Sequence, residues 1–265
     1  MKRLNSFQLL LIVLGALILL LIIAPLLGMF LKTSPQSLFD TAKEKDVRDS
    51  IWLTVWTSMA GTLLFAIAAI PLAYLLARKN FPLKRIVTGI IDLPVVIPHS
   101  AAGIAILGFV NRETWLGKLG SAIGLNFVGS PAGIIIAMSF VSIPYLINAA
   151  RDGFMGVPVR LENAAMTLGA SPSRVFYSIS LPLAWRNIVS GLILMFAMGM
   201  SEFGAVIVVA YHPMITPVLI YERFGAFGLK YARPVAVLFI LISLTVFIIL
   251  RMLAKDRDSQ KQDNE

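Results

Sequence analysis

The sequence predicts an all-α membrane protein with six transmembrane helices, on three observations. Hydrophobic residues make up 58% of the 265 residues and charged residues only 14%, whereas soluble domains are about half apolar and a quarter charged. The mean hydropathy is +0.83. Six apolar stretches approach the roughly 20 residues that a helix needs to cross a bilayer. We therefore expect one transmembrane domain over residues 1–265 and exclude a soluble fold.

The six predicted spans lie, in order, at about residues 7–31, 51–77, 86–110, 130–150, 188–211 and 234–254. The first follows Lys2 and Arg3, as a signal peptide would. It is too long for one and lacks a small-x-small cleavage site, so we expect it to remain as a helix. The next four are close to the required length as they stand. The sixth has the fewest uncharged residues, and Arg251 extends it to about Ala254 by reaching its charge toward the membrane surface.

The distribution of basic residues predicts the orientation. Of 23 Lys and Arg residues, 14 lie in the N-terminus, the 78–85 loop, the 151–187 loop and the tail from Arg251. The other nine lie in the alternate connections, at residues 32–50, 111–129 and 212–233. Because cytoplasmic connections carry the excess of Lys and Arg, we expect a multi-pass cell-membrane protein with both termini and the 151–187 loop in the cytoplasm.

Several function classes are excluded by residues that the sequence lacks. There is no cysteine and only two histidines, His99 and His212, so disulfides, thiolate metal sites and histidine-rich metal sites are not expected. No G-x-x-x-x-G-K-[ST] phosphate loop occurs, so we expect neither bound ATP nor another cofactor on this chain, nor an enzyme. The net charge of +9 comes from bases that flank the spans, which disfavours a nucleic-acid partner and leaves membrane lipid as the surroundings.

The 151–187 loop predicts a short docking helix. After Pro158, apolar residues recur at the i, i+3, i+4 and i+7 spacing of one helix face, at Leu161, Ala164, Ala165 and Leu168. Gly169 tolerates the left-handed conformation that ends such a helix, and Ser171-Pro172 is a typical start for the next one. A short helix with a small apolar face at the membrane surface suits the groove of a partner protein.

Two ionisable residues deep in the spans predict a second site. Glu202 and His99 lie about 14 and about 13 residues into their spans, hence at similar depth at 1.5 Å per residue. Because both spans run in the same direction, we expect the two side chains to meet. The pair either locks two helices together or acts as a gate, with Ser100 and Ser201 beside it as candidates to line the pathway.

Asp92 lies nearer the membrane surface, where an ion pair with Lys84 or Arg85 is the expected role. No Lys or Arg lies deep in any predicted span. An anionic cargo would therefore be met by hydroxyls, backbone N–H groups or helix N-termini, rather than by a permanent cationic site.

A spaced motif occurs in the same loop. Residues 163–169, Asn-Ala-Ala-Met-Thr-Leu-Gly, are followed after nine residues by Ile-Ser-Leu-Pro at 179–182. This pattern resembles the EAA loop of ABC importer permeases. Asn163 stands where the usual Glu would be, and Glu162 lies one residue earlier. The resemblance implies coupling to an ATPase through Leu161, Glu162, Asn163, Ala164, Ala165, Leu168, Gly169, Leu181 and Pro182.

Two further stretches resemble the oxyanion permeases for molybdate, tungstate and sulfate. They are residues 92–104, with Ile97-Pro98-His99 as in archaeal-type molybdate/tungstate permeases, and residues 199–206, where Ser201 replaces a more usual glycine. The resemblance covers roughly residues 50–250. It implies the type I ABC importer permease fold and alternating access. It also implies a homodimer, two cytoplasmic ATPase subunits that hold ATP and Mg, and an extracytoplasmic oxyanion-binding protein.

Three alternatives remain open. A sulfate/thiosulfate ABC permease would share the same motifs. A stand-alone ion-coupled carrier would use Glu202 and His99 as a proton relay, but it would have no use for a docking helix. An intramembrane enzyme would have only Glu202, Asp92 and His99, which form no recognisable catalytic group. Molybdate and tungstate are not distinguished by the sequence.

Overall fold

Regular structure is helical throughout the part of the chain that the structure describes. A computed structural model describes residues 5–262. The helices, in chain order, are α1 (Ser6–Leu31), α2 (Pro35–Lys43), α3 (Lys45–Arg78), α4 (Lys84–Val96), α5 (His99–Val110), α6 (Trp115–Ala122), α7 (Pro131–Gly156), α8 (Val159–Thr167), α9 (Pro172–Val175), a π turn (Phe176–Ser180), α10 (Leu181–Met200), α11 (Gly204–Val209), α12 (Thr216–Phe227) and α13 (Leu229–Gln262).

The six-span plan is confirmed, with one span broken. Among residues 5–262, five stretches are long and apolar enough to cross a membrane as continuous helices: Phe7–Leu31, Lys45–Arg78, Pro131–Gly156, Pro172–Met200 and Leu229–Met252. The bent pair α4 and α5 passes the same test together, which makes six. The structure has the all-helical, membrane-spanning architecture that the composition predicts.

Several helices are longer than the apolar spans predicted for them. The second helix begins at Lys45 rather than residue 51, and the fourth runs to Gly156 rather than residue 150. The fifth helix begins at Pro172 rather than residue 188, so the predicted loop is helical from residue 172 onward. Hydropathy marks the length that lipid can cover, whereas the backbone hydrogen bonds of a helix end only at a cap or a breaking residue.

The third span is not one helix. α4 ends at Val96, α5 begins at His99, and the two axes differ by 111°. Ile97 is extended, at φ −75° and ψ 149°, because the residue before a proline is disfavoured in the helical region and Pro98 follows it. The prediction of a continuous helix over residues 86–110 is therefore wrong.

The fifth span has two irregularities, and proline explains the first. A π turn at Phe176–Ser180 precedes α10. Pro182 has no N–H and its ring would clash with the carbonyl four residues earlier, and widening the turn accommodates that carbonyl. The second irregularity lies at the far end, where α10 stops at Met200 and the separate helix α11 begins at Gly204. The predicted continuous helix over residues 188–211 is wrong at this point.

The centre of the bundle is formed by α3, α7 and α10, with two apolar clusters along it. One surrounds Ile106, Ile134 and Val206, and the other lies toward the α8 end, around Leu76, Phe154 and Ile188. α1 stands outside the bundle, with its apolar side chains exposed on every side up to Leu27. A hydrogen bond from Arg233 Nη1 to the carbonyl of Lys32, 2.9 Å, holds its end.

A row of buried hydroxyls on α3 joins it to its neighbours. Thr54 Oγ1 donates to the carbonyl of Ser50 at 2.6 Å and accepts from the N–H of Thr216 at 2.8 Å. Ser58 Oγ donates to the carbonyl of Phe196 on α10 at 2.7 Å. Small hydroxyl residues of this kind hold membrane helices together, because lipid provides no competing hydrogen bonds. The hydroxyls of these residues are therefore committed to helix packing.

Candidate functional site

α8 forms between two local signals in the predicted loop. Pro158 is its N-cap residue, and the helix ends where Gly169 takes a φ of +88°. The N–H of Ala170 bonds to the carbonyl of Ala165 at 3.0 Å, closing the last turn. Ser171 Oγ then accepts from the N–H of Arg174 at the start of α9. The predicted helix end at Gly169 and the predicted start at Ser171-Pro172 are both confirmed.

The predicted docking face of α8 is open to its surroundings. Leu161 and Ala164 are exposed, Ala165 is half-buried, and Leu168 is 89% exposed. Asn163 is exposed beside them, and its carbonyl accepts from Thr167 Oγ1 at 2.9 Å. A cluster of exposed apolar side chains at a helix on the end of a bundle is typical of a protein-binding site.

Glu162 and Leu181 face the chain instead, whereas Pro182 is exposed. Glu162 is 4% exposed and bonds to Arg78 and Ser180, so its side chain is not free to contact a partner protein. Leu181 is half-buried against the cluster around Ile188, and Pro182 belongs to the transmembrane helix below the π turn. Within the coupling set, Glu162 and Leu181 therefore pack against the chain and do not form part of the docking face.

The predicted meeting of His99 and Glu202 is confirmed. His99 Nδ1 lies 2.8 Å from Glu202 Oε2, and the N–H of Ala205 donates to Glu202 Oε1 at 2.7 Å. The Glu202 side chain is 2% exposed and that of His99 is 38% exposed. The carboxylate thus bridges the first turns of α5 and α11. We call this arrangement of His99, Glu202 and the Ala205 N–H the clamp.

Two glycines allow the helices of the clamp to touch. A Cβ on Gly204 would lie 2.8 Å from the Cβ of His99, and a Cβ on Gly103 would lie 2.9 Å from the Cα of Ala205. Real Cβ atoms do not approach other atoms so closely. Any side chain at either position would therefore push α5 and α11 apart.

The clamp lies at both breaks, which the sequence did not indicate. His99 is the first residue of α5, after the 111° bend, and Glu202 lies between α10 and α11. Ser100 and Ser201 are exposed next to it, and Ser201 Oγ donates to the carbonyl of Met198 at 3.0 Å. Non-helical backbone inside a span is tolerated only where protein or a water-filled cavity surrounds it.

The ion pair predicted for Asp92 is wrong. Asn148 Nδ2 of α7 donates to Asp92 Oδ1 at 2.7 Å, while Lys84 Nζ donates to Asn80 Oδ1 at 3.3 Å. Arg85 lies seven residues from Asp92 on the same helix, which separates them by about 10 Å along the axis. α4 packs against α7 along this stretch, so the neighbouring amide reaches the carboxylate and the bases do not.

Comparison with known proteins assigns the chain to a family. Residues 69–259 match the family of binding-protein-dependent transport system inner membrane components. The chain belongs to this family. The chain is similar to the molybdate/tungstate transport system permease protein WtpB of Pyrococcus furiosus, with 42% identity over 242 residues, which are 91% of this chain and 92% of that protein. The WtpB of Methanocaldococcus jannaschii is 42% identical over 214 residues, 81% of this chain and 84% of that protein.

Sulfate permeases are more distant relatives within the same family. A probable sulfate transport system permease protein of Chlorokybus atmophyticus is 30% identical over 231 residues, 84% of this chain and 81% of that protein. The lower identity extends over a similar share of the chain. The two groups of permeases therefore differ in their sequence identity to this chain.

Solved structures of importer permeases have the same fold. A bacterial ABC transporter involved in the import of the acidic polysaccharide alginate superposes with a TM-score of 0.73, at 18% identity over 95% of this chain and 96% of that one. The MetNI methionine ABC transporter in an inward-facing conformation gives 0.61, at 15% identity over 81% and 95%. The chain thus has the type I ABC importer permease fold.

Proposed function

We propose that this chain is the membrane-spanning subunit of an ATP-driven importer that moves molybdate or tungstate across the cell membrane by alternating access. The observation that carries the proposal is the 42% identity to a molybdate/tungstate permease over 91% of the chain, against 30% to a probable sulfate permease. The open docking face of α8 supports an importer driven by a separate ATPase. It also disfavours a stand-alone carrier, for which such a face has no use.

The proposed assembly is a homodimer of this chain over two cytoplasmic ATPase subunits, fed from outside by an oxyanion-binding protein. The exposed Leu161, Ala164 and Leu168 are the side chains we assign to the ATPase contact, with Ala165 at the edge of that surface. Both termini and α8 lie in the cytoplasm in this assembly, following the excess of basic residues. ATP and Mg are held by the partner subunits.

We assign the pathway to the region beside the clamp. Ser100 and Ser201 are exposed there, and the backbone is interrupted in both spans. A carboxylate facing a dianionic cargo at 4 Å would repel each unit of charge by about 4 kcal/mol at an effective dielectric constant near 20. Glu202 therefore ties the two helices together, and hydroxyls and backbone N–H groups are the better contacts for an oxyanion.

Reconstitution tests the proposed function. The permease would be inserted in proteoliposomes with its ATPase and binding protein, and uptake of molybdate, tungstate and sulfate would be measured with ATP or a non-hydrolysable analogue. We expect ATP-dependent uptake of molybdate or tungstate in preference to sulfate. Preferred uptake of sulfate would instead indicate a sulfate permease. Uptake by the permease alone under an ion gradient would indicate a carrier.

A further inference from the structure

Glu162 connects three segments that are far apart in the sequence. Arg78, the last residue of α3, places Nε 2.9 Å from each carboxylate oxygen of Glu162 and Nη2 2.8 Å from Oε1. The same guanidinium donates through Nη2 to the carbonyl of Val157, just before α8, at 3.0 Å. From the other side, Ser180 Oγ donates to Glu162 Oε1 at 2.6 Å. We call these three side chains the α8 latch.

The α8 latch is buried, and burial restricts its charged side chains to one relative orientation. The side chains of Arg78 and Glu162 are only 9% and 6% exposed. Two charges removed from water are stable only when they are paired and hydrogen-bonded, and a planar guanidinium facing both carboxylate oxygens meets this condition in one orientation. The orientation of Glu162, and with it the first turn of α8, is therefore fixed relative to α3.

The latch also joins α8 to the clamp through one helix. Ser180 is the last residue of the π turn, and α10 continues from Leu181 to Met200, two residues before Glu202. At 1.5 Å per residue this helix is about 30 Å long. The α8 latch therefore holds one end of α10, and the carboxylate that ties α5 to α11 lies just beyond the other end.

We propose that Arg78 and Ser180 are positioning residues which, through Glu162, pass displacements of α8 to α3 and α10 and so to the clamp. The proposal rests on the docking of an ATPase on α8, and it adds the route by which that docking changes the pathway. The docking face itself is on other side chains of α8. Removing the latch should therefore leave the ATPase bound to the permease but uncouple ATP hydrolysis from transport.

The test uses the whole importer with the variants Glu162→Gln, Arg78→Gln and Ser180→Ala. Two quantities are measured in proteoliposomes: ATPase retained on the purified permease, and molybdate moved per ATP hydrolysed. We expect retention at the wild-type level, with transport per ATP falling by about 2-fold to 30-fold, the range for residues that carry coupling between sites. The double variant Arg78→Gln/Glu162→Gln should be no worse than either single one, because the two side chains act as a unit.

Matched controls are available at the opposite end of the bundle. Arg112→Gln and Glu113→Gln make the same changes at exposed neighbours in the connection between α5 and α6, and they should change neither quantity. Ala165→Arg, on the docking face, should instead reduce retention. If a charge variant does not fold, Ser180→Ala decides, since it removes one hydroxyl and leaves the ion pair in place.

The experiment distinguishes failure of the latch proposal from failure of the docking proposal. Wild-type transport per ATP in the latch variants, with the ATPase retained, would overturn the latch and leave the docking face intact. Loss of the ATPase from the latch variants would show that they act only on binding. A wild-type permease that does not retain the ATPase would overturn the docking proposal, and the latch with it.

Discussion

Removing the carboxylate of the clamp should loosen the contact between α5 and α11. Glu202→Ala leaves the N–H of Ala205 without its acceptor in a site that is 2% exposed, which costs about 1–3 kcal/mol. His99 is 38% exposed and borders water in the proposed pathway. Water then replaces much of its lost partner, and this part is worth only about 0–1 kcal/mol. The expected total is about 1–4 kcal/mol.

Glu202→Gln separates the hydrogen bonds from the charge. Its amide oxygen can still accept from the N–H of Ala205, so we expect a loss of about 1 kcal/mol or less and largely intact transport. Glu202→Ala should lower the unfolding midpoint by about 2–4 °C per kcal/mol and impair transport. The neighbouring Ser201→Ala removes an exposed hydroxyl bonded only within its own helix turn. It is the control for thermal unfolding alone, because Ser201 itself is assigned to the pathway.

The assay combines thermal unfolding of the purified permease with hydrogen exchange at the amide of Ala205. The exchange measurement reports the particular bond that is lost, and it should accelerate in Glu202→Ala but not in Glu202→Gln. Unchanged exchange and an unchanged midpoint in Glu202→Ala would refute the reasoning. Equal damage from Gln and Ala would show that the charge, and not the hydrogen bonding, holds the clamp.

Three further predictions concern the docking helix, the helix contact and the topology. Gly169→Val should strain a turn at φ +88° by about 1–2 kcal/mol, and Ala165→Arg should obstruct docking. Both variants should reduce ATPase retention or transport in a folded permease. Full transport by both variants would show that the loop only connects two helices. Gly204→Val should destabilise the protein by about 1–3 kcal/mol in thermal unfolding, because its Cβ would meet that of His99 at 2.8 Å; an unchanged midpoint would contradict this. The cysteine of a Ser173→Cys variant should not react with an impermeant thiol reagent applied to intact cells, because the loop is expected in the cytoplasm. Labelling from outside would show that the predicted orientation is wrong.

The parts of the fold that were predictable depend on local chemistry. Apolar length located the spans, and Gly169 and Ser171 ended and began helices through their own backbone and side-chain preferences. The breaks were not predictable in this way. Pro71 lies inside an unbroken helix, whereas the chain at Pro98 turns by 111°. Which outcome a proline produces depends on the helices packed around it, and that information is distant in sequence.

The acidic residues likewise divide into one whose partner the sequence predicted and two whose partners it did not. The similar depth of Glu202 and His99 in their spans correctly predicted that they meet. That depth was counted along straight helices, although each residue lies at a helix break. Glu162 was assigned to coupling on its place in a motif. Its partner Arg78 is 84 residues away, and no spacing rule indicates such a contact. Asp92 was assigned to the nearest bases, but the amide of Asn148 on another helix reaches it first.

The isolation of α1 has a consequence for how the protein sits in its bilayer. Its apolar stretch is 25 residues long, about 37 Å as a helix, against a hydrocarbon thickness of about 30 Å. A stretch that exceeds the membrane is accommodated by tilting, and little packing within this chain resists that tilt. The angle of α1 therefore follows the thickness of the surrounding lipid, so that a thinner membrane inclines it further while the bundle of α3, α7 and α10 keeps its own geometry.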